Sequence, residues 1–301
     1  MMPLHARADA VVQQHLGETF PACAVCILRG GEIILDAAWG WIDAERRTVP
    51  ATTETYFDLA SVTKLFTATA FLSLVGAGAV ALDEPLVAVV PEFGQAAPRA
   101  IDGGQDPHSK QRQPVDPAFA GQTVDPARVT FRHLLTHTSG LPPWRDVYNA
   151  AGPPPAPPDQ PEALPRAQRW ARALKALCSY PFVGVPDGVV RYSDIGLMLL
   201  GEATARLHGG GDLWAALRAR VLEPLGRTDV VFNPVREGDL AREQIAPTED
   251  DPVWRERRVW GEVHDENACG VGGVAGHGGL FAPARGVAAL GQAWVEPTRS
   301  L

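Results

Sequence analysis

The stretch DLASVTKLFTATAFLSLV, residues 58–75, is hydrophobic on nearly every side when it is drawn as a helix. Such a helix belongs in a core, because no face of it suits water. Near its start stand Ser61-Val62-Thr63-Lys64. Residues three apart share one face of a helix, so the Lys64 amine can reach the Ser61 hydroxyl. The sequence therefore predicts a buried helix with a serine and a lysine together at its first turn.

A serine next to a lysine is typical of a serine nucleophile that is activated without a histidine base. Free backbone N–H groups at a helix start favour a developing oxyanion at Ser61. Burial among apolar neighbours favours an uncharged Lys64 amine that can accept a proton. With seven serines and three lysines in 301 residues, the spacing has a chance expectation of roughly 0.07. The alternative is a buried serine beside a lysine whose charged end reaches solvent.

A second motif, Arg191-Tyr192-Ser193-Asp194, precedes a helical pattern at residues 194–207. Beside a lysine, the Tyr192 phenol can act as an acid or base. Asp194 could hydrogen-bond Lys64 and hold it. The alternative is a tyrosine at a helix start with Ser193 or Asp194 as its N-cap.

The motifs together resemble one known group of proteins. Ser61-x-x-Lys64, then HLLTHTSGL at 133–141, then YSDIG at 192–196 look like the serine β-lactamase and penicillin-binding-protein superfamily. The similarity is strongest to its class C-like branch, which includes DD-carboxypeptidases, D-aminopeptidases and esterases. GEVHDENA at 261–268 and GGVAGHGGLF at 272–281 resemble DD-carboxypeptidase-like esterases. The resemblance covers roughly residues 20–295.

The resemblance implies an α+β fold, in which an antiparallel sheet packs with helices and an all-helical subdomain is attached. We expect one domain over residues 1–301, with an α/β part at about 1–75 and 268–301 and a helical part at about 76–267. In the implied reaction Ser61 attacks an ester or amide carbonyl, Lys64 and Tyr192 move the proton, and water releases the acyl group. Residues expected around the substrate or behind the catalytic groups are Asp194, His264, His277 and Gly278. A carboxylate at Asp194, where the family usually has asparagine or serine, favours the charged amine.

One family feature does not fit. The family has a third motif, Lys/His-x-Gly, on a strand beside the nucleophile. His277-Gly278-Gly279 superficially matches it, but a helical pattern at 285–294 follows instead of alternating strands. We therefore expect the third motif and the last strands of the sheet beyond Leu301. The alternative function is a non-catalytic relative that binds acyl or peptidoglycan-like ligands without turnover.

The amino-acid composition limits the classes of partner that we expect for this protein. Hydrophobic residues make up 46% and charged residues 21% of the chain, and the net charge is −8. These values are typical of a globular protein and weigh against a nucleic-acid surface. No apolar run of 18 residues and no secretory signal are recognisable, which predicts a cytoplasmic protein without a membrane span. We expect a small ester or amide as the partner, and no cofactor; the sequence leaves the oligomeric state open.

Two residue pairs could bind a metal or carry redox chemistry: Cys23-x-x-Cys26 and His133-x-x-x-His137. The cysteines lie in an apolar run whose strand period points the two thiols in opposite directions, and the histidines have no third ligand at convincing spacing, so no metal site is predicted. A further group, His264-Asp265-Glu266, could bind a cation or line the site, because loops often carry function. Periodicity also predicts a hairpin across Gly30-Gly31, a surface loop at 142–165 that carries nine prolines, and several helices. The helices are expected at 9–20, 129–136, 167–177, 194–207, 213–222 and 285–294.

Overall fold

The computed structural model describes residues 3–238 and 240–297. Its α-helices are α1 (Leu4–Gln13), α2 (Thr63–Gly76), α3 (Phe131–Leu135), α4 (Val147–Ala151), α5 (Arg166–Leu177), α6 (Asp194–Leu207), α7 (Leu213–Leu217), α8 (Glu266–Gly270) and α9 (Ala284–Val295). Its strands are β1 (Ala22–Arg29), β2 (Glu32–Gly40), β3 (Phe57–Asp58), β4 (Arg99–Ala100), β5 (Thr123–Val124), β6 (Val231–Phe232), β7 (Glu249–Asp251), β8 (Arg257–Val259) and β9 (Leu280–Ala282).

Helix α2 lies between two hydrophobic clusters, which cover most of its apolar surface but leave Leu65 57% exposed. Phe71 and Leu74 belong to the larger cluster, together with residues of α3 and α6. Phe66 and Ala70 belong to a second cluster with residues of α7, β6 and β9. All four side chains are fully buried, and burial of each phenylalanine contributes about 1.5–3 kcal/mol. The predicted buried helix is present, although it begins only at Thr63, after a 3-10 turn.

The predicted hairpin forms between β1 and β2, antiparallel, with Ala22 opposite Gly40 and a bulge between Ile27 and Leu28. Helix α1 contacts β2, and α9 contacts β1. The expected helix at 9–20 is displaced toward the N-terminus, because α1 ends at Gln13 and the chain turns there. The predicted helices at 167–177, 194–207 and 285–294 match α5, α6 and α9 to within a residue.

A separate three-stranded sheet supports the start of α2. Its order is β3-β9-β6, and both pairings are antiparallel. Strand β6 comes from the range that the sequence assigns to the helical part, so this sheet takes one short strand from there. The division of the chain into two parts stays a prediction. A three-residue strand and then α9 follow Gly279, as the departure from the third motif predicts.

The proline-rich segment at 142–165 is not the exposed loop that its composition suggests. It contains α4, whose Val147 and Ala151 are fully buried. Three arginines donate hydrogen bonds to its main-chain carbonyls: Arg169 to Pro153 (2.7 Å), Arg236 to Ala156 (2.7 Å) and Arg257 to Pro155 (3.0 Å). Prolines leave their carbonyl oxygens without helical partners, and guanidinium groups from elsewhere in the chain satisfy them.

Two other helices differ in the structure from the helices that the sequence predicts. Residues 213–222 form α7 and then a π-helical turn at Arg218–Leu222. Helix α3 starts two residues later than expected, where Thr130 accepts a hydrogen bond from the His133 N–H as its N-cap. Among the helices described, none is long and apolar enough to cross a membrane.

Candidate active site

The start of α2 brings Ser61 and Lys64 together as the sequence predicts. Lys64 Nζ lies 3.0 Å from Ser61 Oγ. Ser61 is exposed, whereas Lys64 is only 7% exposed. Ala60 has a positive φ of 45°, which is costly for a residue with a Cβ. Its N–H donates to Asp58 Oδ1 at 2.7 Å, which holds this sharp turn.

Three oxygen atoms surround the Lys64 amine. Nζ lies 2.8 Å from Asp194 Oδ1, 2.9 Å from the His277 carbonyl oxygen and 3.0 Å from Ser61 Oγ. The Asp194 carboxylate gives the buried amine a counter-charge, as the sequence suggests. In this state the amine donates hydrogen bonds, so it must release a proton before it can take one from Ser61.

Tyr192 stands over the amine. The centroid of its ring lies 4.9 Å from Lys64 Nζ, and the side chain is half exposed. The N-cap of α6 is Ser193, whose Oγ accepts a hydrogen bond from the Gly196 N–H at 3.0 Å. Capping by Ser193 leaves the Asp194 carboxylate free to reach Lys64.

His137 is a site residue that sequence reasoning weighed only as a metal ligand. Its ring packs against that of Tyr192 with centroids 4.7 Å apart, and its Nδ1 accepts a hydrogen bond from the Ser193 N–H at 3.1 Å. Desolvation and then the nearby Lys64 charge lower the pKa of His137 below its usual value, and Asp194 acts against them. A neutral ring is what this hydrogen bond requires, because Nδ1 must offer a lone pair. The position of His137 within HLLTHTSGL was the available signal.

His277 and Gly278 lie behind the pair. His277 is 2% exposed, and its Nε2 lies 2.8 Å from Asp265 Oδ1. A Cβ placed on Gly278 would lie 4.0 Å from the Ala60 carbonyl oxygen. The glycine-rich stretch at residues 272–279, called the glycine segment below, therefore passes directly behind the turn that carries Ser61. The sequence marks Asp265 only within His264-Asp265-Glu266, as a possible cation ligand or lining residue, and not as a partner of His277.

His264 takes part through its main chain. Its N–H donates to Asp58 Oδ2 at 2.7 Å, whereas its half-exposed ring lies near Glu249, with Nδ1 3.7 Å from Oε1. Desolvation raises the pKa of Asp58, although the N–H groups of His264 and Ala60 oppose that effect. Among the seven predicted site residues, the side chains of Ser61, Tyr192 and Asp194 lie beside the Lys64 amine, whereas the rings of His264 and His277 face Glu249 and Asp265.

The two histidines considered as a metal-binding pair face different partners. His133 Nε2 contacts Asp187 Oδ1 at 2.8 Å, whereas His137 faces Tyr192. Cys23 and Cys26 are free thiols on β1. Within residues 3–238 and 240–297 no group of three or more His, Cys, Asp or Glu side chains could hold a metal ion.

Comparisons with known proteins agree with this geometry. A family model described as Beta-lactamase matches residues 8–300. A protein of Salmonella agona (strain SL483), named putative D-alanyl-D-alanine carboxypeptidase, is 27% identical over an alignment of 306 positions that covers 95% of this chain and 63% of the relative. The chain thus spans somewhat less than two thirds of that relative's length.

Solved structures share the fold. The octameric penicillin-binding protein homologue from Pyrococcus abyssi superposes with a TM-score of 0.64 at 22% identity, over 99% of this chain and 58% of its own. The D-amino acid amidase from Ochrobactrum anthropi SV3 superposes with a TM-score of 0.65 at 20% identity, over 97% of this chain and 72% of its own. These similarities confirm the predicted α+β architecture.

Proposed function

Because the chain belongs to the beta-lactamase family, we propose that it is a serine hydrolase that forms an acyl-enzyme on Ser61. The observation that carries the proposal is the 3.0 Å contact between Lys64 Nζ and an exposed Ser61 Oγ at the start of α2. A nucleophile must be open to substrate, while its base gains from a desolvated setting. The exposed serine and the buried lysine meet both requirements.

The reaction follows from the roles of the three groups. Once the Lys64 amine is neutral, it accepts the Oγ proton while Oγ bonds to the carbonyl carbon of an ester or amide. The Ser61 N–H at the helix start stabilises the negative charge that develops on the carbonyl oxygen. The tetrahedral intermediate then expels the alcohol or amine, which takes a proton from the site. Water attacks the acyl-enzyme by the same route and restores the Ser61 hydroxyl.

Tyr192 carries the proton between Lys64 and the leaving group in this proposal. Its ring lies beside Nζ and is half exposed, so the phenol can face both the amine and a bound substrate. General acid–base groups of this kind contribute about 10²–10⁴-fold to a rate. Asp194 and His137 hold the lysine and the tyrosine in place.

The proposed substrates are small esters or amides. Relatives named putative D-alanyl-D-alanine carboxypeptidase, together with an amidase of the same fold, support this class. We retain a cytoplasmic location as part of the proposal, to be checked by fractionating cells that express the chain. Assays with nitrocefin, p-nitrophenyl butyrate and a D-Ala-D-Ala peptide distinguish lactams, esters and peptides.

Covalent labelling tests the proposal directly. We expect a fluorophosphonate or a fluorescent penicillin to add one adduct, read by intact mass, and Ser61→Ala to abolish it. Ser73→Ala is the matched control, because Ser73 lies in α2, beyond the turn that holds Ser61, and its Oγ donates to the Ala70 carbonyl. Folded protein that neither probe labels would instead support a binder without turnover. An adduct that persists in Ser61→Ala would place the nucleophile elsewhere.

A further inference from the structure

We propose that Asp265 is a positioning residue for Lys64, which it acts on through the ring and the main-chain carbonyl of His277. Asp265 Oδ1 lies 2.8 Å from His277 Nε2, and the His277 carbonyl oxygen accepts a hydrogen bond from Lys64 Nζ at 2.9 Å. The ring and the carbonyl belong to one residue, so fixing the ring limits where the carbonyl can point. The proposal rests on the proposed function only in treating Lys64 as the proton carrier.

Asp265 is the polar anchor of the His277 ring. His277 is 2% exposed, and its Nδ1 has no hydrogen-bond partner among the described residues. The buried ring therefore has one polar contact, through Nε2. Loss of that contact would leave a desolvated imidazole with no fixed orientation.

Asp265 is itself held firmly. Its Oδ1 accepts a hydrogen bond from the Ala268 N–H at 2.7 Å and caps α8. Asn267, fully buried in α8, accepts from the Tyr148 N–H at 3.0 Å and donates to the Arg145 carbonyl at 2.8 Å. The carboxylate therefore stands at the start of a helix whose own position is fixed by α4 and its neighbours.

The charge of Asp265 persists through the neutral range. Desolvation acts to raise the pKa of this carboxyl, but His277, the Ala268 N–H and the more distant Lys64 outweigh it and hold that pKa well below its usual range. A charged acceptor makes the stronger hydrogen bond to the ring. The pair is therefore suited to hold its geometry under the conditions in which Lys64 would act.

The residue before Asp265 supports the nucleophile from the other side. The His264 N–H donates to Asp58, and Asp58 accepts from the Ala60 N–H next to Ser61. His264 thus contacts Asp58, which holds the turn before Ser61. The adjacent Asp265 contacts His277, whose carbonyl binds Lys64. A change in Asp265 is expected to alter the relative placement of Ser61 and Lys64 and not only local stability.

The test observes Lys64 without requiring turnover. The chain has three lysines, Lys64, Lys110 and Lys175, so ¹³C-lysine labelling yields three sets of side-chain signals, which Lys→Arg variants assign. Asp265→Asn removes the charge and keeps a good N-cap. We expect it to move the Lys64 ε-carbon signal, leave Lys175 unchanged, and slow acylation of Ser61 on the order of 10-fold or more.

The matched control is Asp187→Asn. Asp187 Oδ1 lies 2.8 Å from His133 Nε2, the same kind of pair at the same distance, and no contact joins His133 or Asp187 to Lys64 among the described residues. We expect this variant to leave the Lys64 signal in place. A similar shift in both variants would show a general loss of order and overturn the proposal.

An unchanged Lys64 signal in folded Asp265→Asn also overturns it, whether or not the protein can be labelled. If Asp265→Asn does not fold, His277→Leu removes the same polar contact from a residue of similar volume, and an unchanged signal there has the same meaning. A shifted Lys64 signal in a protein that no probe acylates would instead support the positioning role and count against the proposed hydrolase activity.

Discussion

Asp194 lies at the first residue of α6, and its Oδ1 is 2.8 Å from Lys64 Nζ. The two side chains are 19% and 8% exposed, so little water screens the pair. The carboxylate therefore opposes the step in which Lys64 gives up its proton.

Asp194→Asn is expected to shift the pH dependence of Ser61 acylation. Removal of the negative charge makes a neutral amine easier to form, so the midpoint of the acylation profile should move to lower pH. Rates of fluorophosphonate labelling between pH 5 and 10 measure it. Asp212→Asn, which removes a carboxylate paired with Arg166, should leave the midpoint unchanged. A shift to higher pH would contradict the assigned role.

Tyr192→Phe should slow acylation about 10²–10⁴-fold while the thermal midpoint stays near that of the parent chain. The ring contacts with Lys64 and His137 are retained, and only the phenol oxygen is lost. Labelling kinetics and a thermal melt provide the two measurements. Tyr180→Phe serves as the control. Equal rates in the two variants would remove Tyr192 from the proton pathway.

Protonation of His137 should weaken the site in mild acid. The folded-state pKa of this ring is lowered, so its contribution to stability is complete above the ordinary value of about 6.5 and is lost as the pH falls through the lower folded-state value. Protonated Nδ1 can no longer accept from the Ser193 N–H. An NMR titration of His137 should therefore coincide with an acid limb of the labelling profile that is separate from the step that depends on Lys64.

His137→Gln offers the comparison for that prediction. A glutamine oxygen can accept the same hydrogen bond but does not titrate. The acid limb assigned to His137 should then disappear. If it persists unchanged, another group is responsible.

Gly276→Ala should destabilise the fold by about 1–3 kcal/mol. A Cβ there would lie 2.2 Å from the Leu197 carbonyl oxygen and 3.1 Å from Gly201 Cα, so α6 and the glycine segment would have to separate. Gly291→Ala is the matched control, since it lies within α9 and its Cβ would meet nothing within 4 Å. In urea unfolding the control should be neutral or up to about 1 kcal/mol more stable. Comparable losses in both variants would contradict this packing argument.

The sequence was most informative where contacts are local. The Ser61–Lys64 contact depends on helical spacing, and α6 begins at the residue expected from its cap. Asp265 is marked by the sequence only as part of His264-Asp265-Glu266, and its contact with His277 was not predicted. Asp58 was missed because it acts through main-chain groups, one of which belongs to a residue distant in the chain. Nothing in its spacing marks it. The resemblance to the family was needed to connect residues 61, 192 and 277.

The prediction of an exposed loop at the proline-rich segment was wrong for the opposite reason. Its composition predicts no helix, because proline breaks helices, yet α4 forms between Pro143 and Pro153, where the chain has no proline. Burial, however, is decided by partners that a local pattern does not contain. The arginines that bind its carbonyls come from α5 and from residues 236 and 257, in later parts of the chain.

That anchoring has a consequence for the timing of a catalytic cycle. In many enzymes a proline- or glycine-rich segment beside the site swings shut over the ligand, and its reopening limits turnover. Here the carbonyls of Pro142 and Pro143 also hold Ser193 and Asp194, at 2.7 Å and 2.9 Å. A swing of this segment would pull the start of α6 out of place. We therefore expect this segment to stay in place during turnover and not to act as a gate.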